Sequence, residues 1–294
     1  LTEALEKHSV SINARQKEDR MKKKQKIAMA AFILIFFLGA EFTNGAQFGL
    51  RLFGGAGTLS PQDINQGTKG WTDQHAGFFT SFGYSRSGEV KPVNMSLEGG
   101  ADLLIYFTPR IALGIGAGYV QGKRASEVVL TKGTDEIKIT SQPSLSAVPI
   151  RLSLFFEIPA DNLNIYLNLG SDYYLAKYKW DWNFPGEWEL NHSATANSLG
   201  FHGGIGFEIM VSNNVAFFLE GIGRYAKIKG FEGTEKGMEG GSTWEGSGTL
   251  FYLEGTDYPV LFIREELPTG YKVAREANVD FSGFSVLAGL KMKF

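Results

Sequence analysis

Cysteine is absent from the 294 residues, which removes disulfides, thiolate metal sites and cysteine nucleophiles together. Proline is scarce, at 9 residues. A basic surplus is also missing, since 29 Lys and Arg stand against 31 Asp and Glu, so nothing supplies the phosphate contacts on which nucleic-acid binding depends. No long apolar run follows the N-terminal region, and this excludes a bundle of membrane helices. What is abundant is 37 Gly, 23 Phe and 11 Tyr, a composition of many short extended segments that pack small residues against aromatic ones. The chain reads as all-β.

Lys22, Lys23, Lys24 and Lys26 precede an apolar stretch over residues 27–40, and small residues recur at Asn44, Gly45 and Ala46. A charged n-region, a short h-region and a small-residue cleavage site describe a secretory signal. A membrane anchor is the other reading, but the stretch falls short of the roughly 20 residues that a helix needs to cross hydrocarbon. Residues 21–46 are therefore expected to be a signal peptide, residues 1–20 an upstream translated segment outside the fold, and residues 47–294 the folded domain.

From Gln47 onward the period is two. Eight segments alternate, centred on residues 48–55, 94–107, 110–119, 148–158, 163–174, 199–211, 215–225 and 283–294. In the fifth, Leu163, Ile165, Leu167 and Leu169 oppose Asn164, Tyr166, Asn168 and Asp172; in the last, Phe284, Val286, Leu290 and Met292 oppose Ser285, Lys291 and Lys293. Connections at Thr108 and Pro109, at residues 159–162 and at residues 212–214 are tight and rich in turn formers. The others, at about 59–92, 122–143, 179–197 and 229–277, are long. Strict alternation of short and long connections over an even number of strands, each long enough to cross, is the arrangement of a transmembrane β-barrel. Glycine-rich polar faces fit the inside of a narrow barrel and apolar faces the lipid.

On these features the chain resembles, across residues 47–294, the small eight-stranded bacterial outer-membrane barrels of the OmpA and OmpX transmembrane type. The resemblance implies an up-and-down antiparallel meander with short periplasmic turns and long extracellular loops, in the outer membrane of a Gram-negative-type bacterium. It also implies that Gly289, Met292 and Phe294 form the C-terminal signal read by the outer-membrane assembly machinery, with Leu287 where a polar residue is usual. Outer-membrane lipid is the expected surrounding, and a monomer is expected.

The facing puts Arg51, Arg110, Arg151, Arg224, Lys291 and Lys293 inside with Glu98, Asp102, Glu157, Asp172, Glu208 and Glu220. An eight-stranded interior is just wide enough for side chains to fill, so this balanced set is read as a hydrogen-bonded plug, with Arg224, Glu220, Glu208 and Arg151 in one network. A narrow ion or solute pore is the alternative. A lipid-modifying enzyme is a third reading, but catalysis is not expected. His202 points inward with Glu208 about 20 Å along its own strand, too far to orient a base, and His75 and His192 fall in loops. Gly114, Gly116 and Gly118 make room in a strand rather than cradle phosphate. No cofactor or metal is expected.

Function is then left to the loops. Trp180, Trp182, Phe184 and Trp188 fall in an external loop and offer an aromatic surface to a glycan or a protein partner. Ser60, Pro61 and Asp63 form a helix start, followed by Trp71, Phe78, Phe79 and Phe82, which predicts an amphipathic helix over the barrel mouth or on the lipid surface. Residues 230–248, rich in Gly and Glu, are expected to form a flexible acidic cap, with 250–253 and 260–263 as strand extensions or a hairpin.

Overall fold

The computed structural model describes residues 47–160, 163–186, 188–255 and 257–294; the expected leader over residues 21–46 and the segment before it lie outside these. The eight alternating segments all become strands: β1 (Gln47–Thr58), β2 (Met95–Thr108), β3 (Ile111–Lys123), β4 (Asp135–Ala160), β5 (Leu163–Phe184), β6 (Trp188–Ser212), β7 (Val215–Tyr225) and β8 (Gly283–Lys293). Each pairs antiparallel with the next. β8 then returns to β1, with Gly49 opposite Lys293 and Gly57 opposite Ser285, so the pairings form a closed ring. Phe48 and Phe294 exchange two further backbone hydrogen bonds where the ring ends.

The predicted facing holds around this ring. Leu167, Leu169, Ile205, Phe207, Val286 and Leu290 are exposed on its outside, while Arg51, Asp102, Glu157, Asp172, Glu208, Glu220 and Lys291 are buried within it. No described helix is long and apolar enough to cross a membrane, so the apolar belt on the strands is the surface available to lipid. Phe218 and Ile222, which blur the alternation of β7, are both buried inside the ring.

The strands are longer than the sequence pattern suggests. β4 has 26 residues, β5 22 and β6 25, against the 9 to 11 or so needed to cross a membrane. The excess lies where residues 122–143 and 179–197 were expected to loop. On β5 the alternation continues with its polarity inverted: Leu167, Leu169 and Leu175 face outward in the lower part, whereas Lys177, Lys179 and Asp181 face outward above them. Their inward neighbours change from Asn168 and Asp172 to Tyr178, Trp180, Trp182 and Phe184, all buried. The sheet leaves its apolar surroundings with its pairing intact.

Strand pairing also orders the last long connection, contrary to the flexible cap expected there. Strand 232–239 adds to the edge of β6 through residues 188–195 and pairs with strand 242–254. Residues 250–253 then pair with 260–263 as a hairpin. In the first connection the helix α1 (Gln62–Ser81) forms. Asp63 in its first turn takes two hydrogen bonds from Arg275, the Nη2 one at 2.8 Å, and another from the Asn278 amide. The helix lies over a second apolar core, containing Ile64, Leu145, Tyr178, Trp180, Leu190, Phe231, Leu261 and Phe281.

Closure allows almost no bulk at Gly289. A Cβ there would sit 2.0 Å from the Leu52 carbonyl oxygen and 2.8 Å from the Phe218 ring. Gly289→Ala is expected to reduce the refolded fraction and lower its unfolding temperature, read as loss of the mobility difference between boiled and unboiled protein on a gel; wild-type behaviour would refute this account of closure.

Candidate functional site: a charged interior beneath an aromatic cap

Inside the ring the acidic and basic side chains sort into three groups. Toward the short turns, Lys291 reaches Glu157 at 2.7 Å and also bonds Glu208, while Lys293 reaches Glu157 at 3.0 Å and Tyr106 donates to it at 2.8 Å. At mid-height Arg51 donates to Glu220 and to the Tyr166 hydroxyl, each at 2.8 Å, and Arg151 donates to Asp102 at 2.7 Å. The Arg51 guanidinium also lies over the rings of Phe155, Tyr166 and Phe218, the last at 4.1 Å from its centroid. Toward the cap, Arg224 donates to Glu98 at 2.5 Å, to Ser285 Oγ at 2.8 Å and to the Phe281 carbonyl at 2.7 Å.

Every predicted interior residue except Arg110 and Asp172 belongs to one of these three groups. Arg110 is exposed at the β2–β3 turn, because the turn ends one residue later than the alternation implies and releases its side chain to solvent. Of the single network expected for Arg224, Glu220, Glu208 and Arg151, only Glu220 and Arg151 are joined, through Arg51 and Asp102, which lie 3.7 Å apart; Arg224 pairs with Glu98 and Glu208 with Lys291 at other heights.

Asp172 has another partner. It lies 2.9 Å from His202 Nδ1, and His202 Nε2 lies 3.0 Å from Ser153 Oγ, an order of hydroxyl, imidazole and carboxylate that matches nucleophile, base and orienting acid. Ser153 stands opposite Gly170, which stands opposite His202. A Cβ on Gly170 would come within 2.4 Å of His202 Cε1, so the missing side chain on the middle strand lets the outer two meet. The expectation for His202 considered only its own strand; its partners lie across the sheet. Along β4 the inward neighbours of Ser153 are Phe155 and Arg151, and along β5 those of Asp172 are Gly170 and Tyr174. Phe155 belongs to the aromatic cluster below and Tyr174 to the apolar core above.

The cap corrects the loop expectations. Trp180, Trp182 and Phe184 are on β5 and only 0%, 2% and 3% exposed, so they form a core instead of a binding surface; Trp188, at the start of β6, packs against that core. The indole N–H of Trp180 donates to Ser141 Oγ at 2.9 Å, and that of Trp182 to Thr72 Oγ1 on α1 at 3.2 Å. His192 is on β6, fully buried, with Nε2 2.8 Å from Glu235 Oε2. Glu235 also accepts from the Ile263 amide at 2.9 Å and from Arg264 at 2.6 Å. Burial pushes the Glu235 carboxyl up, but His192, the Ile263 amide and Arg264 outweigh it and hold the group below the usual carboxylate range. His75 is on α1, where Trp71, Trp182 and Trp188 surround it with ring centroids 4.7, 4.8 and 4.5 Å away. A cleft of about 650 Å³ opens beside it, walled by Phe78 and Phe79 of α1, Phe184, Trp188 and Tyr258. Among the described residues no group of three or more His, Asp or Glu could hold a metal ion.

No protein-family model matches the chain, and no curated protein does. Among solved structures, it is similar to the outer membrane protein OprG from Pseudomonas aeruginosa, at 15% identity over 85% of this chain and 96% of that one, with a TM-score of 0.39. It is similar also to the outer membrane protease OmpT from Escherichia coli, at 10% identity over 86% and 98%, with a TM-score of 0.39. A third is the translocator domain of the autotransporter NalP from Neisseria meningitidis, at 9% identity over 92% and 96% and a TM-score of 0.23. The assignment of an outer-membrane type of β-barrel rests on this chain's own ring, apolar outside and charged inside.

Removing one partner of a buried ion pair leaves the other uncompensated, at a cost of about 3–5 kcal/mol. Glu220→Ala is therefore expected to lower the unfolding temperature in detergent clearly, and Arg110→Ala to leave it unchanged; equal effects would contradict the pairing. For Glu235 the folded carboxyl is the more acidic, so its contribution is present above the unfolded carboxylate pKa and is lost as pH falls through that value toward the folded one. Tryptophan fluorescence of the cap is expected to change as the pH falls below about 4.5, and Glu235→Gln to flatten that profile.

Proposed function

We propose that the ring is an eight-stranded transmembrane barrel in the outer membrane of a Gram-negative-type bacterium. The short connections after Thr108, Ala160 and Ser212 face the periplasm, and the cap stands outside the cell. The barrel is a sealed scaffold with a structural and surface-interaction role, and its function is carried by the extracellular cap. The observation that carries this reading is the filling of the interior: three ion-paired groups at successive heights, an aromatic cluster packed around Arg51, and an apolar core above. Ions crossing such a path would have to displace charges that already neutralise one another.

The same filling favours a structural part for Ser153, His202 and Asp172. A nucleophile needs an open position about 3 Å away for the reacting atom, and Ser153 is 4% exposed. The polarity inversion on β5 supports a span that ends below the cap, since it marks where the strands pass from lipid to water. Outer-membrane lipid is then the partner of the belt, and the assembly machinery that of the last strand through Gly289, Met292 and Phe294.

The test is planar-bilayer recording of refolded protein that has passed the boiled-versus-unboiled gel assay. A silent bilayer is expected. Reproducible unitary steps that change on substitution of Glu220 or Arg224 would overturn the sealed scaffold in favour of a pore. A change in phospholipid or lipid A acylation on overproduction would instead favour an enzyme.

A further inference from the structure

The cleft beside α1 joins aromatic walls to the imidazole of His75. Phe79 and Phe184 stack with centroids 5.0 Å apart and an interplanar angle of 28°, forming one side, and Trp188 and Tyr258 form others. Its volume of about 650 Å³ falls within the range of sites for small molecules.

His75 supplies the polar handle. Its Nδ1 lies 2.8 Å from the Trp71 carbonyl oxygen, which can only accept, so Nδ1 carries the proton and Nε2 of the neutral ring is left with a lone pair. Burial holds the His75 pKa below its ordinary value, outweighing the Trp71 carbonyl and the Glu239 charge, which act in the opposite direction. The ring is thus neutral at physiological pH. The other polar groups along the cleft, Gln74, Thr80 and the Tyr258 hydroxyl, are uncharged, and together with the aromatic walls and the Nε2 lone pair they favour an uncharged ligand with a flat apolar body and one donor. No cationic side chain lines the cleft to neutralise a carboxylate or a phosphate.

We propose that this cleft is a binding site for a small uncharged aromatic molecule with one hydroxyl or N–H group, which donates to His75 Nε2 while its ring packs against Phe184 and Trp188. The inference rests on the reading of the cap as the working surface of the barrel. It assigns that surface a ligand class.

Gly77 provides a control that leaves the aromatic walls in place. It lines the cleft within α1, and a Cβ there would meet only the Tyr258 hydroxyl, at 3.3 Å. Gly77→Leu would fill the space while replacing a poor helix former by a good one. The full chain in lipid nanodiscs would be titrated calorimetrically with p-cresol and with its methyl ether, 4-methylanisole, using empty discs as blank. Tighter binding of p-cresol is expected. His75→Phe should weaken p-cresol about tenfold, the value of one good hydrogen bond, and leave the ether unchanged. Gly77→Leu should abolish both. Equal affinity for the two compounds, or p-cresol binding that survives Gly77→Leu, would overturn the proposal. Failure of p-cresol to bind would overturn the ligand class even with a silent bilayer, whereas conductance steps alone would overturn the scaffold.

Discussion

Ring closure is the constraint on which the other features depend. A strand in hydrocarbon has no water to satisfy its amides and carbonyls, so an open sheet edge is untenable and the last strand must return to the first. Here β8 fulfils that requirement by pairing with β1 along its length. Gly289 permits it, because the backbone of Leu52 occupies the space a side chain would need. A ring of this few strands is narrow, and narrowness decides the interior. Large side chains on one strand must face small ones on another, as Asp102 faces Gly116, where a Cβ would lie 2.1 Å from its carboxylate oxygen. Charges confined in this way need immediate partners, and Lys291 accordingly touches both Glu157 and Glu208.

The same sheet then serves two solvents. In the lower part of β5 Leu167 and Leu169 face out and Asn168 and Asp172 face in; farther along, Lys177 and Lys179 face out and Tyr178 and Trp180 face in. Backbone geometry and period are unchanged across the transition. Only the sign of the polarity difference between the two faces reverses. Each strand thereby contributes to a polar interior below and an apolar core above. The apolar core can hold α1 and the added strands 232–239 and 242–254, because there the hydrophobic effect acts as it does in a soluble protein.

This reversal also explains which parts of the fold were legible in the sequence. Where the apolar face looks outward, alternation located all eight strands and the inward charges, including Arg51, Glu157 and Lys291. Above the transition, an inward Trp180 or Trp182 between lysines and Asp181 resembles a surface loop with aromatics when the outward face is assumed to be apolar. Arg110 differs for a local reason, since the extent of a turn shifts facing by a residue. The Ser153, His202 and Asp172 contacts depend on register between strands, and spacing along one chain does not encode it. Two facts read together would have pointed to them: all three residues face inward, and Gly170 lies on the strand between Ser153 and His202.

Register also accounts for why polar interactions in the ring are local in height while dispersed in sequence. Arg51 and Glu220 are separated by 169 residues and meet at 2.8 Å. Glu208 and Glu220 share the inward surface and serve different cations. Each ionic group therefore fastens several strands at one level, and the aromatic cluster of Phe155, Tyr166 and Phe218 packs against Arg51 in the middle one. Sliding any strand by two residues would preserve its facing but exchange its partners. In the cap the restraint is different: Asp63 ties the start of α1 to Arg275 and Asn278, and Trp182 reaches Thr72 farther along the helix. The end of α1 carries Phe78 and Phe82, both exposed, and their edge-to-face contact at 4.9 Å is made within the helix itself. The cleft thus opens at the end of α1 away from the Asp63 anchor.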